Sequence, residues 1–163
     1  LKSRAAFEPL LAQGIGETLR VSLTVPAARK TAEVETARRI IEDVAAGRFT
    51  DPQRLALKGP NIIACPSCAR VENERFVELA EAVQAAAFEL CAGRECSLTV
   101  AVMGCRVNGP GETDHADLGL WCAGDFVNLK RGRVLVGRFP YHQILERFRG
   151  ELAALLAGGR PES

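Results

Sequence analysis

The chain has 163 residues, 47% of them hydrophobic and 25% charged, and its 21 basic and 20 acidic residues leave a net charge of +1. This length suits one good-sized domain, or a small domain with part of another, and the composition allows a buried core. The balanced charge excludes the basic footprint of a nucleic-acid binder, and no apolar run approaches the ~18 residues of a membrane span.

The first part of the chain predicts a helix, a strand and a second helix. Residues 1–12 are typical of the end of a helix, and LRVSLTV (Leu19–Val25) is rich in β-branched residues, which favour a strand. Thr31 is expected to cap the next helix, which Gly47 ends. One strand–helix unit cannot form a sheet alone, so it is expected to belong to something larger. Residues 48–58 lose the periodicity, and we interpret them as a linker.

The second part predicts a small sheet with helices. Its predicted elements are a strand in GPNIIA, a helix over about 74–91 capped by Asn73, strands in SLTVAVMG and ADLGLWC, a hairpin around Arg131-Gly132, and a final helix that ends at Gly158-Gly159. The order β-α-β-β-β-α predicts a compact α+β domain with its helices on one face of the sheet.

The six cysteines are not expected to form a disulfide framework. The chain is too large and too apolar to need one, and its N-terminus has no apolar segment typical of a signal peptide. We therefore expect a reducing compartment, in which some of these thiols bind a metal. The cysteines are Cys65, Cys68, Cys91, Cys96, Cys105 and Cys122.

The motif CPSC (Cys65–Cys68) directly follows a predicted strand, and a C-x-x-C turn there points two thiolates at one centre. Cys105 also ends a predicted strand, so three sulfurs converge at one sheet edge if the two strands are neighbours. This spacing favours zinc or an iron–sulfur cluster. A thioredoxin-like redox pair leaves Cys105 unexplained, and a zinc ribbon needs a second C-x-x-C. Simple buried thiols are the remaining alternative.

A tetrahedral site needs a fourth ligand, and the residues alone leave four candidates. Cys91 and Cys96 follow a helix of about 18 residues, which is roughly 27 Å long and separates them from CPSC. Cys122 ends another strand and lies either in the core or near the site. Glu112 follows Cys105 across NGPG, a run of turn-forming residues that can bring a carboxylate back to the same metal.

Two motifs, CPSCAR (65–70) and AVMGCRVNGPGE (101–112), resemble the hydroxymethylbutenyl diphosphate synthase family, also called IspG/GcpE. These enzymes catalyse the penultimate step of the methylerythritol phosphate route to isoprenoids. The segment LLAQGIGETLRVSLT (10–24) is similar to the last strand of the family's TIM barrel. ADLGL and the KRGRV hairpin match the segments that follow NGPGE, so the resemblance covers most of the chain.

The resemblance implies a [4Fe–4S] cluster held by Cys65, Cys68, Cys105 and Glu112. A thiolate binds iron durably, whereas a harder carboxylate oxygen is easier to displace, so one iron can open for substrate. Glu112 is therefore implied as a catalytic residue as well as a ligand.

The implied reaction opens the ring of methylerythritol cyclodiphosphate and removes a hydroxyl as water, with two electrons from a ferredoxin or flavodoxin. Arg20 and Ser22 match the barrel-strand residues that contact the diphosphate, and Asn108 is a further candidate for substrate contact. The family also implies a cytoplasmic enzyme of the bacterial type and a homodimer, in which the cluster domain closes over the partner's barrel.

The implied domains are the last strand–helix segment of a (β/α)8 barrel at 1–47, a linker at 48–58 and the cluster domain at 59–163. A barrel needs about 250 residues, and the chain begins with Leu1. We therefore expect a C-terminal part that is inactive alone.

The sequence departs from the family pattern at several positions. Ala69 stands where glycine is usual, Arg106 stands where an apolar residue is common, and Cys122 is extra. Two other functions compete with the synthase: a zinc-stabilised binding module without catalysis, and an electron-transfer domain whose all-cysteine cluster uses Cys122 in place of Glu112.

Overall fold

The structure, a computed structural model, describes residues 2–51 and 59–158. The chain divides into two compact units, Leu1–Leu57 and Lys58–Ser163. Residues 52–58 of the predicted linker lie outside the described residues, and the domain boundaries drawn from the sequence stay predictions. In the part of the chain that the structure describes, no helix has both the length and the apolar character to cross a bilayer.

The first unit is helical. Its elements are α1 (Lys2–Leu11), a single 3₁₀ turn (Ala27–Arg29) and α2 (Thr31–Ala45). The prediction that Thr31 caps α2 is wrong, because Thr31 is already helical. The preceding Lys30 has helical dihedral angles (φ −62°, ψ −22°), so the 3₁₀ turn runs directly into the helix without a side-chain cap.

The strand predicted at Leu19–Val25 is absent; among the described residues, this segment pairs with no strand. Side chains take the place of a partner strand at Leu23. Its N–H donates to Glu33 Oε1 at 2.8 Å, and its carbonyl accepts from Lys30 Nζ at 2.9 Å. β-branched residues favour extended backbone, but a sheet also needs a neighbouring backbone to hydrogen-bond.

A buried carboxylate, Glu8, joins α1 to the segment after α2. It accepts hydrogen bonds from Arg4 Nη1 (2.8 Å), from the Thr50 N–H (2.9 Å) and from Thr50 Oγ1 (2.8 Å). Burial alone would raise the pKa of Glu8, but these hydrogen bonds outweigh it and hold the pKa below its ordinary value. Since the folded-state pKa is the lower one, this stabilisation is present at neutral pH and is lost as the pH falls through that pKa.

The second unit alternates strands and helices. Its elements are β1 (Asn61–Ala64), α3 (Arg75–Cys91), β2 (Thr99–Met103), the short α4 (Gly109–Glu112), β3 (Leu118–Ala123), β4 (Phe126–Arg131), β5 (Val134–Pro140) and α5 (Tyr141–Gly158). The predicted order β-α-β-β-β-α is one strand short, because the hairpin adds two strands to the three before it. It also lacks α4.

The five strands form one mixed sheet in the order β1-β2-β3-β4-β5. β1, β2 and β3 run parallel, whereas β4 and β5 continue as an antiparallel hairpin. The predicted α+β class is confirmed for this unit. Because parallel strands share a direction, the carboxyl ends of β1, β2 and β3 meet at one edge of the sheet.

The long helices α3 and α5 pack against each other and against the sheet, so they cover the same face. The prediction that Asn73 caps α3 is wrong by one residue, because the N-cap is Glu74 and has no side-chain cap; Asn73 precedes it, and its Oδ1 accepts the Arg75 N–H at 3.0 Å. The large side chains that are fully buried in this core come from both helices and from the strands. They include Phe76, Val83, Val100, Val102, Leu118, Leu120, Leu129, Ile144, Phe148 and Leu152.

The opposite face of the sheet carries α4. Successive side chains of a strand point to opposite faces, so Gly119 and Trp121 of β3 face away from the helix-covered core. A Cβ on Gly109 would lie within 3.0 Å of Trp121, and one on Gly119 would lie within 3.0 Å of Thr113. The backbone of the NGPGE segment therefore lies directly on the sheet.

Candidate metal centre

Two of the predicted ligands lie at the common edge of β1, β2 and β3. Cys65 directly follows β1, and its N–H donates to Val102 O of β2 at 2.9 Å. Cys105 follows the last residue of β2 by two positions. The strands are neighbours, as the convergence of the sulfurs requires, and both thiols are buried, with 9% of Cys65 and 3% of Cys105 exposed.

The CPSC turn is held to the same edge by backbone hydrogen bonds. Ser67 has φ +59°, the left-handed conformation that lets the chain turn sharply between the two cysteines. The Arg70 N–H donates to Cys68 Sγ at 3.5 Å. The Glu72 N–H donates to Gly104 O at 3.2 Å, so the segment after CPSC is bonded to the residue before Cys105.

The remaining predicted ligand, Glu112, lies at the end of α4. Its N–H donates to Asn108 O at 2.9 Å, which closes the single helical turn. The side chains of Glu112 and Asn108 are both exposed, whereas Gly109 is buried against Trp121. The turn is thus fixed through its backbone, and its two polar side chains face solvent.

Among residues 2–51 and 59–158, no group of three or more His, Cys, Asp or Glu side chains is arranged to hold a metal ion. The structure places Cys65, Cys68 and Cys105 on one sheet edge and Glu112 on the turn beyond it, without closing them into one coordination shell. The donor set nevertheless fits an iron–sulfur cluster in its chemistry. It offers three soft thiols, of which Cys68 Sγ accepts an N–H hydrogen bond of the kind that stabilises cluster sulfurs.

A fourth thiol, Cys122, lies in β3 at the same edge and is fully buried. Burial raises the pKa of Cys122 to about 11, and the charges of Cys65 and Cys105 add smaller contributions to the rise. Tyr141 shares a hydrogen bond with Cys122, and its hydroxyl also donates to Asn73 Oδ1 at 3.4 Å. From the sequence, Cys122 was predicted to lie either in the core or near the site. In the structure it is a core residue at the sheet edge that carries the site.

This burial predicts a difference in thiol reactivity. With a pKa of about 11, on the order of 0.03% of Cys122 is thiolate at pH 7.5, and its sulfur is shielded. We expect iodoacetamide to alkylate the exposed Cys68 at least about tenfold faster than Cys122 in the reduced, metal-free chain, as followed by peptide mass spectrometry. Equal alkylation rates of Cys68 and Cys122 under native conditions would contradict the burial of Cys122.

Cys91 and Cys96 form a disulfide that closes the loop after α3. No disulfide framework was expected, and the other four cysteines are free, but this pair is an exception because the loop returns Cys96 to the end of the helix. α3 has 17 residues and is about 25 Å long, so the disulfide lies at the far end of the helix from CPSC. Neither sulfur belongs to the candidate site, as predicted.

Arg20 and Ser22 belong to the first unit, and their predicted contact with a diphosphate stays a prediction. Both residues are exposed, whereas Val21 between them in the sequence is buried. The carboxylate of Glu33 lies close enough to Arg20 for an electrostatic interaction. Hydrogen bonds from the Leu23 N–H and from Lys30 lower the pKa of Glu33, and Arg20 adds a smaller contribution.

Comparison with known proteins gives a family match over more than half of the chain. Residues 61–154 match the family described as GcpE protein C-terminal domain. The chain is similar to a 4-hydroxy-3-methylbut-2-en-1-yl diphosphate synthase (flavodoxin) of Rhodopirellula baltica, with 51% identity over 158 residues, which are 96% of this chain and 40% of the relative.

A second relative carries the same name. It is the synthase of Natranaerobius thermophilus, 40% identical over 147 residues, which are 90% of this chain and 36% of the relative. The synthase of Nautilia profundicola is 34% identical over 153 residues, 93% of this chain and 39% of the relative. The chain thus spans about two fifths of the length of these curated relatives.

Proposed function

The chain belongs to the GcpE family, whose C-terminal domain it contains at residues 61–154, and on this basis we propose that it is the cluster-bearing part of a hydroxymethylbutenyl diphosphate synthase. The complete enzyme would open the ring of methylerythritol cyclodiphosphate and expel one hydroxyl as water, consuming two electrons. Cys65, Cys68, Cys105 and Glu112 would hold the [4Fe–4S] cluster.

The observation that carries this proposal is the pairing of β1 with β2. It brings Cys65 and Cys105 to one sheet edge, while the bond from Glu72 N–H to Gly104 O holds the CPSC turn beside them. A zinc ribbon would need a second C-x-x-C, and a thioredoxin-like pair would not need Cys105. Three thiols from two adjacent strands suit a cluster with one non-cysteine ligand.

The proposed ligand and substrate-binding residues would each have a distinct role. When bound, the cluster would supply electrons and a Lewis-acidic iron. Glu112 would hold the fourth position through an exposed carboxylate, which exchanges more readily than a thiolate. Arg20 and Ser22 would bind the diphosphate through a guanidinium fork and a hydroxyl, and Asn108 would donate to the substrate beside Glu112.

The proposed partners follow from the same family. The similar proteins named above are described as flavodoxin enzymes, and we propose a flavodoxin or ferredoxin as the electron donor. A homodimer in the cytoplasm, with the cluster domain of one subunit over the barrel of the other, completes the proposal. The chain alone would then bind the cluster without turnover.

One alternative has an observation in its favour. Cys122 lies at the same sheet edge as Cys65 and Cys105, so an all-cysteine cluster would use it as the fourth ligand and serve electron transfer alone. Its hydrogen bond with Tyr141 opposes this alternative, because ligation by Cys122 would break that bond.

Replacement of Glu112 separates the two arrangements. We expect Glu112→Ala to reduce turnover of the full-length enzyme by roughly 100-fold or more, because loss of a ligand costs at least as much as loss of its supporting contacts. Cys122→Ser serves as the control and is expected to keep turnover and iron content. Full activity of Glu112→Ala together with loss of iron from Cys122→Ser would establish the all-cysteine arrangement instead.

A further inference from the structure

A buried lysine lies beneath the turn that carries Glu112. Lys130 of β4 is only 7% exposed, and its ammonium lies on the sheet face that α4 covers. We propose that Lys130 is a positioning residue that fixes the Glu112 turn against the sheet through Pro110 O and the carboxylate of Asp114. The consequence for catalysis rests on the proposed function, whereas the positioning itself does not.

The ammonium of Lys130 has three partners in this pocket. Nζ donates to Pro110 O at 3.0 Å and forms an ion pair with Asp114 Oδ1. It also lies 5.7 Å from the centre of the Trp121 ring. Lysine is rarely buried unless its charge is paired and hydrogen-bonded, and here the turn supplies both the paired charge and an acceptor.

The geometry of the sheet explains how the lysine reaches the turn. Lys130 pairs across the strands with Gly119, whose missing side chain leaves space on that face. A Cβ at Gly119 would lie within 3.0 Å of Thr113, so the turn already occupies this space. Thr113 Oγ1 in turn donates to Gly109 O at 2.7 Å and closes α4.

These contacts bracket Glu112 without touching its carboxylate. Pro110 precedes Glu112 by two residues, Asp114 follows it by two, and Lys130 holds both. The Glu112 side chain itself is exposed. Lys130 therefore restrains the backbone on either side of the proposed ligand while its carboxylate is able to exchange, which is how a supporting residue pre-organises a site.

The test compares three variants of the chain. Lys130→Met keeps an unbranched apolar side chain but removes the ammonium, and Asp114→Asn removes only the paired charge. Arg149→Met is the matched control, because it breaks another ion pair of the same unit, Arg149–Glu89 (2.7 Å), which joins the two long helices.

The first measurement is amide hydrogen exchange of the metal-free chain by NMR. We expect Lys130→Met to accelerate exchange at Glu112 and Thr113 by about tenfold or more, and Asp114→Asn by a smaller factor, with the β2 amides unchanged. Arg149→Met should leave the turn unchanged. Unaltered exchange at Glu112 and Thr113 in Lys130→Met would overturn the proposal.

If Lys130→Met accelerates exchange throughout the sheet, the Asp114→Asn variant tests the proposal instead. Faster amide exchange confined to the turn in Asp114→Asn supports the proposal, and unchanged exchange there overturns it.

The second measurement is the electron paramagnetic resonance spectrum of the reduced, reconstituted cluster, which we expect to change in Lys130→Met but not in Arg149→Met. An unchanged spectrum would overturn the link from Lys130 to Glu112. A wild-type chain that binds no iron would refute the proposed function and leave the exchange result standing, so the two failures are distinguishable.

Discussion

Cys105→Ser is expected to bind almost no cluster iron after anaerobic reconstitution. Cys105 lies two residues beyond β2, buried at the edge that also carries Cys65. A serine hydroxyl is a poor ligand for iron at neutral pH, and the other three proposed ligands leave one iron of the cluster without a protein ligand. Iron and acid-labile sulfide per chain, with the visible absorption, give the measurement.

Cys122→Ser is the matched control for this loss. Both thiols are buried, 3% of Cys105 and none of Cys122 being exposed, so the same substitution places a hydroxyl in a similar environment. Equal destabilisation of the two variants with loss of iron only from Cys105→Ser supports ligation by Cys105. Normal iron content in Cys105→Ser would contradict the assigned ligand set.

Gly109→Ala is expected to destabilise the cluster-domain fold by about 1–3 kcal/mol, the usual cost of overpacking. The added Cβ would lie within 3.0 Å of the Trp121 side chain near its own backbone, where no rotamer change relieves the contact. The turn would have to lift from the sheet, which also displaces Glu112. Urea unfolding of the metal-free chain measures this cost.

Gly111→Ala provides the comparison within the same turn. A Cβ at Gly111 meets no atom within 4 Å, and we expect its free energy of unfolding to stay within about 1 kcal/mol of wild type. Trp121 is the only tryptophan of the chain, so its fluorescence reports on the face where α4 packs. Equal stability of the Gly109→Ala and Gly111→Ala variants would show that α4 does not lie directly on the sheet.

Much of the second unit was predictable from local patterns. The apolar run in SLTVAVMG and the three-to-four spacing of Phe76, Leu79 and Val83 both indicate buried elements, and the structure has β2 and α3 at those places. Likewise, the Arg131-Gly132 turn was identifiable because Gly132 takes a positive φ of 55°, which glycine adopts without strain. These features depend on neighbours in sequence, so one chain suffices to recognise them.

Features that depend on distant partners were not predictable. Leu19–Val25 has the composition of a strand, but whether it pairs depends on another backbone. Lys130 is one of several basic residues in the hairpin, and only the sheet register opposite Gly119 shows that it is buried. The placement of Cys122 at the same sheet edge as Cys65 and Cys105 likewise follows from the order β1-β2-β3, which spacing along the chain does not specify.

The candidate site likewise has features that were predictable from the sequence and features that were not. CPSC and the strand before Cys105 predicted that the thiols meet at one edge, and the pairing of β1 with β2 agrees. The role of Glu112 came from family resemblance, because an exposed carboxylate after a turn has no local signature of a ligand. Its supporting contacts, above all those of Lys130, became visible only in the structure.

Metal analysis of the anaerobically purified wild-type chain tests most directly whether this chain holds an iron–sulfur cluster. We predict a brown protein with about four irons and four acid-labile sulfides per chain. A colourless protein that contains stoichiometric zinc, or one that takes up neither iron nor sulfide on reconstitution, would contradict the account.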